Sequence, residues 1–511
     1  MLLGSASAQQ KPRGFQPSPW WYIILFFCSA TTSGLSTAPM LGLLNEVICE
    51  EYKNSGKLPS DHPPICATDP RVQSGVSAII AMQSAIMGVL SCLTAAWWGS
   101  LSDRRGRTGV IAFCGLPFID GAYLLVWLYR SVMPLGYRFV IVGYAVQGLV
   151  GGMSSLTSIM QAYITDCTDD SSRARAFSLF LGALYAGSAI GPSLGSLLVR
   201  LTGNPASVFF VSTSVCACTS ACSWLLVPES VSVDAMAAAR RRHAEAKAAG
   251  AAGGIQSVVG AVAGFVRPLG VLLPDRDARA EGRWSLVLLA GAYGAFNMIT
   301  TSSHYILQYA GARLHFSVEM MGYAVSVAGA SRALYLAVCF PIVVRVLGRM
   351  YASPVGAAST NTPAAAPHAF ALSLVLARAS AAFEAAVFAV FPFVVRPGGF
   401  MVAMGAGAAG AGFGPSVQRL AVEVYVARGG ERETGKLFGA LAVVQALCGY
   451  ILGPALFGVI CMHTFATAPA ALFAVATAFM IMSFAILGFV RRPQLSQNVE
   501  EETGSRLEAA I

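Results

Sequence analysis

Twelve apolar runs of roughly 20 residues divide the chain, and an apolar helix of that length crosses the hydrocarbon core of a bilayer. The first six lie near 20–44, 74–98, 109–129, 137–162, 175–200 and 206–227. After a polar stretch, six more lie near 284–309, 319–347, 366–393, 398–425, 436–461 and 465–490. Composition says why lipid is the solvent: 55% of the 511 residues are hydrophobic and 12% are charged, too few to clothe such a core in water. The expected fold is an all-α membrane protein, with twelve transmembrane helices in two six-helix bundles. Residues 20–227 and 284–490 form the bundles, 228–283 the linker, and 1–19 and 491–511 the tails.

The formal net charge of +9 is distributed as membrane topology rather than as a nucleic-acid-binding face, since Lys and Arg sit in short stretches between apolar runs. With the N-terminus in the cytoplasm, that side holds Lys11, Arg13, Arg104, Arg105, Arg107, Arg173, Arg175, the basic linker and the tail arginines. The opposite side holds Lys53, Lys57, Arg71, Arg130, Arg138, Arg200, Arg313 and Arg396. This asymmetry places both termini in the cytoplasm of a multi-pass protein, in the plasma membrane or an organelle. Lys11 and Arg13 ahead of an apolar stretch have the look of a signal peptide. The run continues to Leu44, however, long enough to span, and is read as a retained first helix.

The first outer loop, about Asn45 to Arg71, carries Cys49 and Cys66, which either cross-link in an oxidising compartment or stand as free thiols. Cys216, Cys218 and Cys222 read as small apolar residues of a helix, and no metal site is expected. The linker stretch Ala235 to Ala252, with Arg240, Arg241, Arg242 and Lys247, has the makings of a basic helix on the inner membrane surface, against anionic lipid.

The halves echo each other. Gly187, Gly191 and Pro192 recur as Gly449, Gly453 and Pro454, each displaced by 262 residues, at the fifth helix of each half. Small residues at this spacing allow close helix packing, and inverted or parallel repeats are a hallmark of transporter architecture.

Between the second and third runs stands Gly99-Ser-Leu-Ser-Asp103-Arg104-Arg105-Gly106-Arg107-Thr108. It resembles the signature loop of the major facilitator superfamily, Gly-x-x-x-Asp-Arg-x-Gly-Arg, at every fixed position. Glycines there permit a tight turn, and Asp103 can accept charge-assisted hydrogen bonds, so the resemblance implies a conformational latch. Gly182, Gly187, Gly191, Pro192 and Gly195 resemble the fifth-helix motif of the antiporter-like branches, which implies a packed or gating interface. Pro415 to Arg419 and Gly435 to Phe438, with Tyr163 and Asp166, are similar to the proton-coupled folate transporter family and its drug-antiporter relatives. One departure stands out: Tyr144 occupies the place, three residues before Gln147-Gly148, where drug/proton antiporters carry an arginine.

Ionisable groups inside a bilayer are costly, so each is a candidate for function. The second half collects them: Arg332, Arg378, Glu384, Arg419 and Glu423. Arg419 and Glu423, at i and i+4, are able to pair on one helix face. Arg419 is a candidate for attracting an anionic group, and Glu384 or Glu423 for exchanging protons. His304 and Asp166 complete the coupling candidates, each set against a plain structural role.

The resemblance implies proton-linked transport of a small organic solute by alternating access. Symport and drug/proton antiport both stay open, as does a non-transporting receptor or scaffold on the same fold. The chain has no Walker-type loop, His-Glu-x-x-His or Gly-x-Ser-x-Gly elbow, so no enzyme activity and no cofactor are expected. The partners expected are the solute, protons and membrane lipids, without nucleic acid, on a monomer.

Overall fold

A computed structural model describes residues 16–56, 68–130, 132–133, 135–248, 267–274, 282–300, 302–351, 365–428 and 434–491. Among them are twelve helices long and apolar enough to cross a membrane, and no strand. The first six run Pro19–Asn54, Pro70–Arg105, Arg107–Leu128, Gly136–Asp166, Leu179–Thr202 and Ala206–Leu225. The others run Ser285–Arg313, Val318–Arg349, Phe370–Phe393, Pro397–Ala427, Leu437–Thr464 and Ala471–Gly488. The apolar runs thus became helices at the expected places, because in lipid a helix satisfies every backbone polar group within its own segment.

Local chemistry sets several ends. Pro70 opens the second span behind the N-cap Asp69, whose carboxylate accepts from the Arg71 amide at 2.8 Å. Gly203, with φ of +65°, closes the fifth helix in the left-handed conformation that a side chain disfavours. Cys49 in the first helix is disulfide-bonded, while Cys66 lies outside the described residues.

By contacts the chain forms two compact units, one of residues up to Val262 with Ala310–Ala330, the other of Ala263–Tyr309 with the residues from Ser331 onward. In the first unit, Tyr22, Phe26, Ile159, Tyr163 and Phe180 centre a core in which the Phe26 and Phe180 rings stack at 4.1 Å. In the second, Leu289, Tyr293, Phe413, Leu420 and Leu437 centre another, with Phe296 stacked on Phe413 at 4.8 Å.

The repeated Gly-x-x-x-Gly-Pro sequence is built differently in the two units. In the first unit the fifth helix runs unbroken through Pro192 from Asp170 to Thr202, and its glycines lie directly against the first helix. A Cβ at Gly187 would stand 2.8 Å from the Phe27 carbonyl oxygen, and one at Gly191 would stand 2.9 Å from the Leu35 amide. Gly195 meets the Leu35 carbonyl in the same way, whereas Gly182 has open space around it. In the second unit a π-helical turn, Leu447–Leu452, occupies the corresponding place, and a Cβ on Gly449 would sit at an ordinary 3.6 Å from the Asn297 carbonyl. Gly453 and Pro454 begin the regular helix that follows. The Pro454 carbonyl accepts from the Tyr305 hydroxyl at 2.9 Å.

Candidate functional site

The resemblance placed a loop at Gly99–Thr108, but most of it is the end of the second helix, which continues to Arg105. The turn is Gly106 alone, at φ of +97°, and Arg107 starts the next helix. Close approach is required only at Gly106, where a Cβ would meet Glu229 Oε2 at 2.5 Å; Gly99 has nothing within 4 Å. A network forms around this turn. Arg107 donates from Nε to Asp166 at 2.5 Å and lies 3.2 Å from Asp103, and the Ser230 hydroxyl donates to Asp166 at 2.8 Å. Asp166 therefore joins the fourth helix to the Gly106 turn. Cys167, next in sequence, is half-buried, and that desolvation pushes its thiol up to about 11 and leaves it a poor nucleophile at neutral pH.

Glu229, not foreseen from the sequence, holds the same turn from beyond the sixth span. Its carboxylate accepts from the Arg107 amide at 2.9 Å, the Thr108 amide at 3.1 Å and the Thr108 hydroxyl at 3.0 Å. A negative charge on the free amides of a helix N-terminus is stabilising there. The linker helix, Val233–Ala248, reaches the network from the other side, with Arg240 donating to the Arg104 carbonyl at 2.9 Å. Three separated stretches thus converge on one turn.

Within the first unit's spans, the structure corrects the expectation that intramembrane charge gathers in the second half. Asp120 lies in the third span, where it accepts hydrogen bonds from the hydroxyls of Ser212 and Ser36. Nearby, buried Tyr123 donates to Gln83 at 3.2 Å, and its ring meets that of Tyr144 edge-on at 6.5 Å. Tyr144, standing where antiporters carry an arginine, belongs to this polar cluster and donates to Met40 Sδ at 3.3 Å.

In the second unit Glu384, in the ninth span, is 6% exposed. It lies against the backbone of Gly410, within a 3₁₀ stretch, Gly407–Gly412, that interrupts the tenth span. Its Oε2 has no hydrogen-bond partner, and the charge facing it is Arg332, just ahead of a π-helical turn at Tyr335–Cys339. Such a group is costly to leave unsatisfied in hydrocarbon. π-turns recur at functional positions in membrane and soluble helices.

The other predicted residues are dispersed. Arg419 and Glu423 pair at 3.1 Å, as their spacing predicts, with the arginine side chain half exposed. Arg378 donates from Nη2 to the Leu487 carbonyl at 2.7 Å, which ties the ninth span to the twelfth. His304 is partly buried, at the start of the helix Ser303–Arg313. Tyr293 links Gln445 and Gln418, each at 3.1 Å. No group of three His, Cys, Asp or Glu side chains suited to a metal occurs among the described residues.

Comparison with known proteins agrees with this architecture. The model of the Major Facilitator Superfamily matches residues 72–448. An uncharacterized membrane protein of Schizosaccharomyces pombe is 29% identical over 221 residues, 42% of this chain and 33% of that protein. The MFS efflux pump atnC of Emericella nidulans is 27% identical over 190 residues, 35% of this chain and 37% of the pump. The chain thus spans little more than a third of the length of these relatives. The crystal structure of a D-xylose-proton symporter shares the fold at a TM-score of 0.57, with 14% identity over 93% of this chain and 98% of that one. A family match over most of the chain, twelve membrane-spanning helices and the shared fold lead to one conclusion: the chain belongs to the Major Facilitator Superfamily.

Proposed function

We propose that the chain is a secondary transporter that moves a small organic solute by alternating access and couples this movement to protons. Glu384 is the observation that carries the coupling: a buried carboxyl in a membrane span, with one oxygen unpartnered and Arg332 as the facing charge. A carboxyl of this kind changes its protonation when its surroundings change, and the irregular turns at Tyr335–Cys339 and Gly407–Gly412 provide surroundings able to change. The Gly106 turn, held by Arg107, Asp166 and Glu229, serves as the latch that closes one conformation. The charge asymmetry supports cytoplasmic termini and a latch on the cytoplasmic side.

Export is the direction favoured by the resemblance to the Emericella nidulans efflux pump. Proteoliposomes with an imposed pH gradient and a panel of radiolabelled organic anions, organic cations and neutral solutes test the proposal. Gradient-driven flux against the direction of proton flow supports export by antiport, and flux with it supports symport. If no solute of the panel moves, and flux is equally absent with and without the gradient, the coupling reading fails.

A further inference from the structure

The second unit carries an apolar groove of about 380 Å³ along the seventh span from Val287 to Met298. Val444 and Cys448 of the eleventh span and Met482 of the twelfth form its other walls. No side chain lining it carries a charge, hydroxyl or amide, so a polar solute finds no partner there. The seventh span presents Ala290, Gly291, Gly294 and Ala295 to it, and a Cβ on Gly291 would have nothing within 4 Å. In the first unit the corresponding first and fifth helices close on each other through Gly187, Gly191 and Gly195. Here the eleventh span touches the seventh at Gly294, where a Cβ would meet Cys448 Sγ at 3.0 Å, while the space beside Gly291 stays open.

Length and charge identify what fills it. Met298 lies eleven positions after Val287, about 16 Å of helix, which matches one leaflet of a hydrocarbon core about 30 Å thick. Just beyond the Val287 end is Trp284, 49% exposed, with the Arg283 guanidinium 5.9 Å from its ring centre. Ser285 donates to the Arg491 carbonyl at 2.6 Å and accepts from its amide at 3.0 Å, which brings a second arginine to the same end. Exposed tryptophan beside two arginines is the chemistry of the headgroup layer. We infer that this groove binds one acyl chain of an anionic phospholipid, whose phosphate is held by Arg283 and Arg491.

The inference is independent of the transported solute. Its test uses the full chain in phosphatidylcholine nanodiscs containing phosphatidylglycerol with a photoactivatable acyl chain, with cross-links located by mass spectrometry. Cross-links concentrated on the peptides around Val444–Cys448 and Met482 are expected. Gly291→Phe, which fills the open space, should remove them, while Gly291→Ala keeps them. Arg283→Gln and Arg491→Gln should each lower the phosphatidylglycerol label about fivefold, the equivalent of about 1 kcal/mol per cation. They should leave a phosphatidylcholine probe unchanged. Label spread evenly over all spans in the unaltered protein, or label unchanged in Gly291→Phe, overturns the inference.

Discussion

The third span of each half carries one carboxylic acid, and the two are finished differently. Asp120 receives hydroxyl donors from the sixth and first spans, while Glu384 keeps Oε2 without a partner beside the backbone of Gly410 and opposite Arg332. A carboxyl supplied with hydroxyl donors has its surroundings fixed by what it holds. A carboxyl left short of a partner has a reason to gain or lose a proton when nearby helices shift. On this comparison the proposal gives Asp120 a structural role and Glu384 the coupling role, although both are single acids in apolar runs.

Glu384→Gln should break the comparison most strongly. It keeps the shape and removes the titration, so pH-gradient-driven flux falls by at least about tenfold, about 1.4 kcal/mol of barrier. Thermal unfolding in detergent should stay close to that of the unaltered protein. If flux survives, Glu384 is merely structural. Gly191→Ala comes next: the added methyl meets the Thr31 carbonyl and the Leu35 amide, at a cost of about 1–3 kcal/mol. Gly449→Ala should be nearly neutral, because its nearest neighbour is at 3.6 Å. Equal loss of melting temperature in the two variants would remove the distinction between a tight seam in one half and an ordinary contact in the other.

Asp120→Asn should show the reverse of Glu384→Gln. The amide is a weaker acceptor for Ser212 and Ser36, and stability falls by about 1–2 kcal/mol, read as a lower melting temperature, while gradient coupling is kept. Smallest is Glu229→Gln, which keeps an oxygen for the Arg107 and Thr108 amides but loses the charge at the helix N-terminus, about 0.5–1 kcal/mol. Its effect should appear as faster alkylation of Cys167 as the latch loosens, with little change in melting.

Much of this was legible in the sequence. Hydropathy gave the twelve spans, since length and apolarity alone decide whether a helix can cross. The Asp103–Arg107 segment was legible as a family signature through its resemblance, and the Arg419–Glu423 pair through its spacing. Asp120 is as visible as Glu384 by the same criterion of an acid within an apolar run, but it stands alone there, whereas the charges of the second half cluster. Glu229 was hidden because the amides it holds lie some 120 positions earlier in the chain, which only folding brings together. The unpartnered oxygen of Glu384 was also out of reach, since it depends on the 3₁₀ stretch Gly407–Gly412 rather than on any letter near position 384. The repeated Gly-x-x-x-Gly-Pro shows the limit most plainly: identical residues form a tight seam in one unit and lie within and just after a π-turn in the other.

Infrared difference spectroscopy of the purified full chain, titrated across pH, tests the central claim most directly, because it detects a carboxyl proton without needing the solute. The account predicts a carboxyl band that titrates reversibly, disappears in Glu384→Gln and persists in Asp120→Asn. A titrating band that is unchanged in Glu384→Gln, or lost in Asp120→Asn alone, would contradict it.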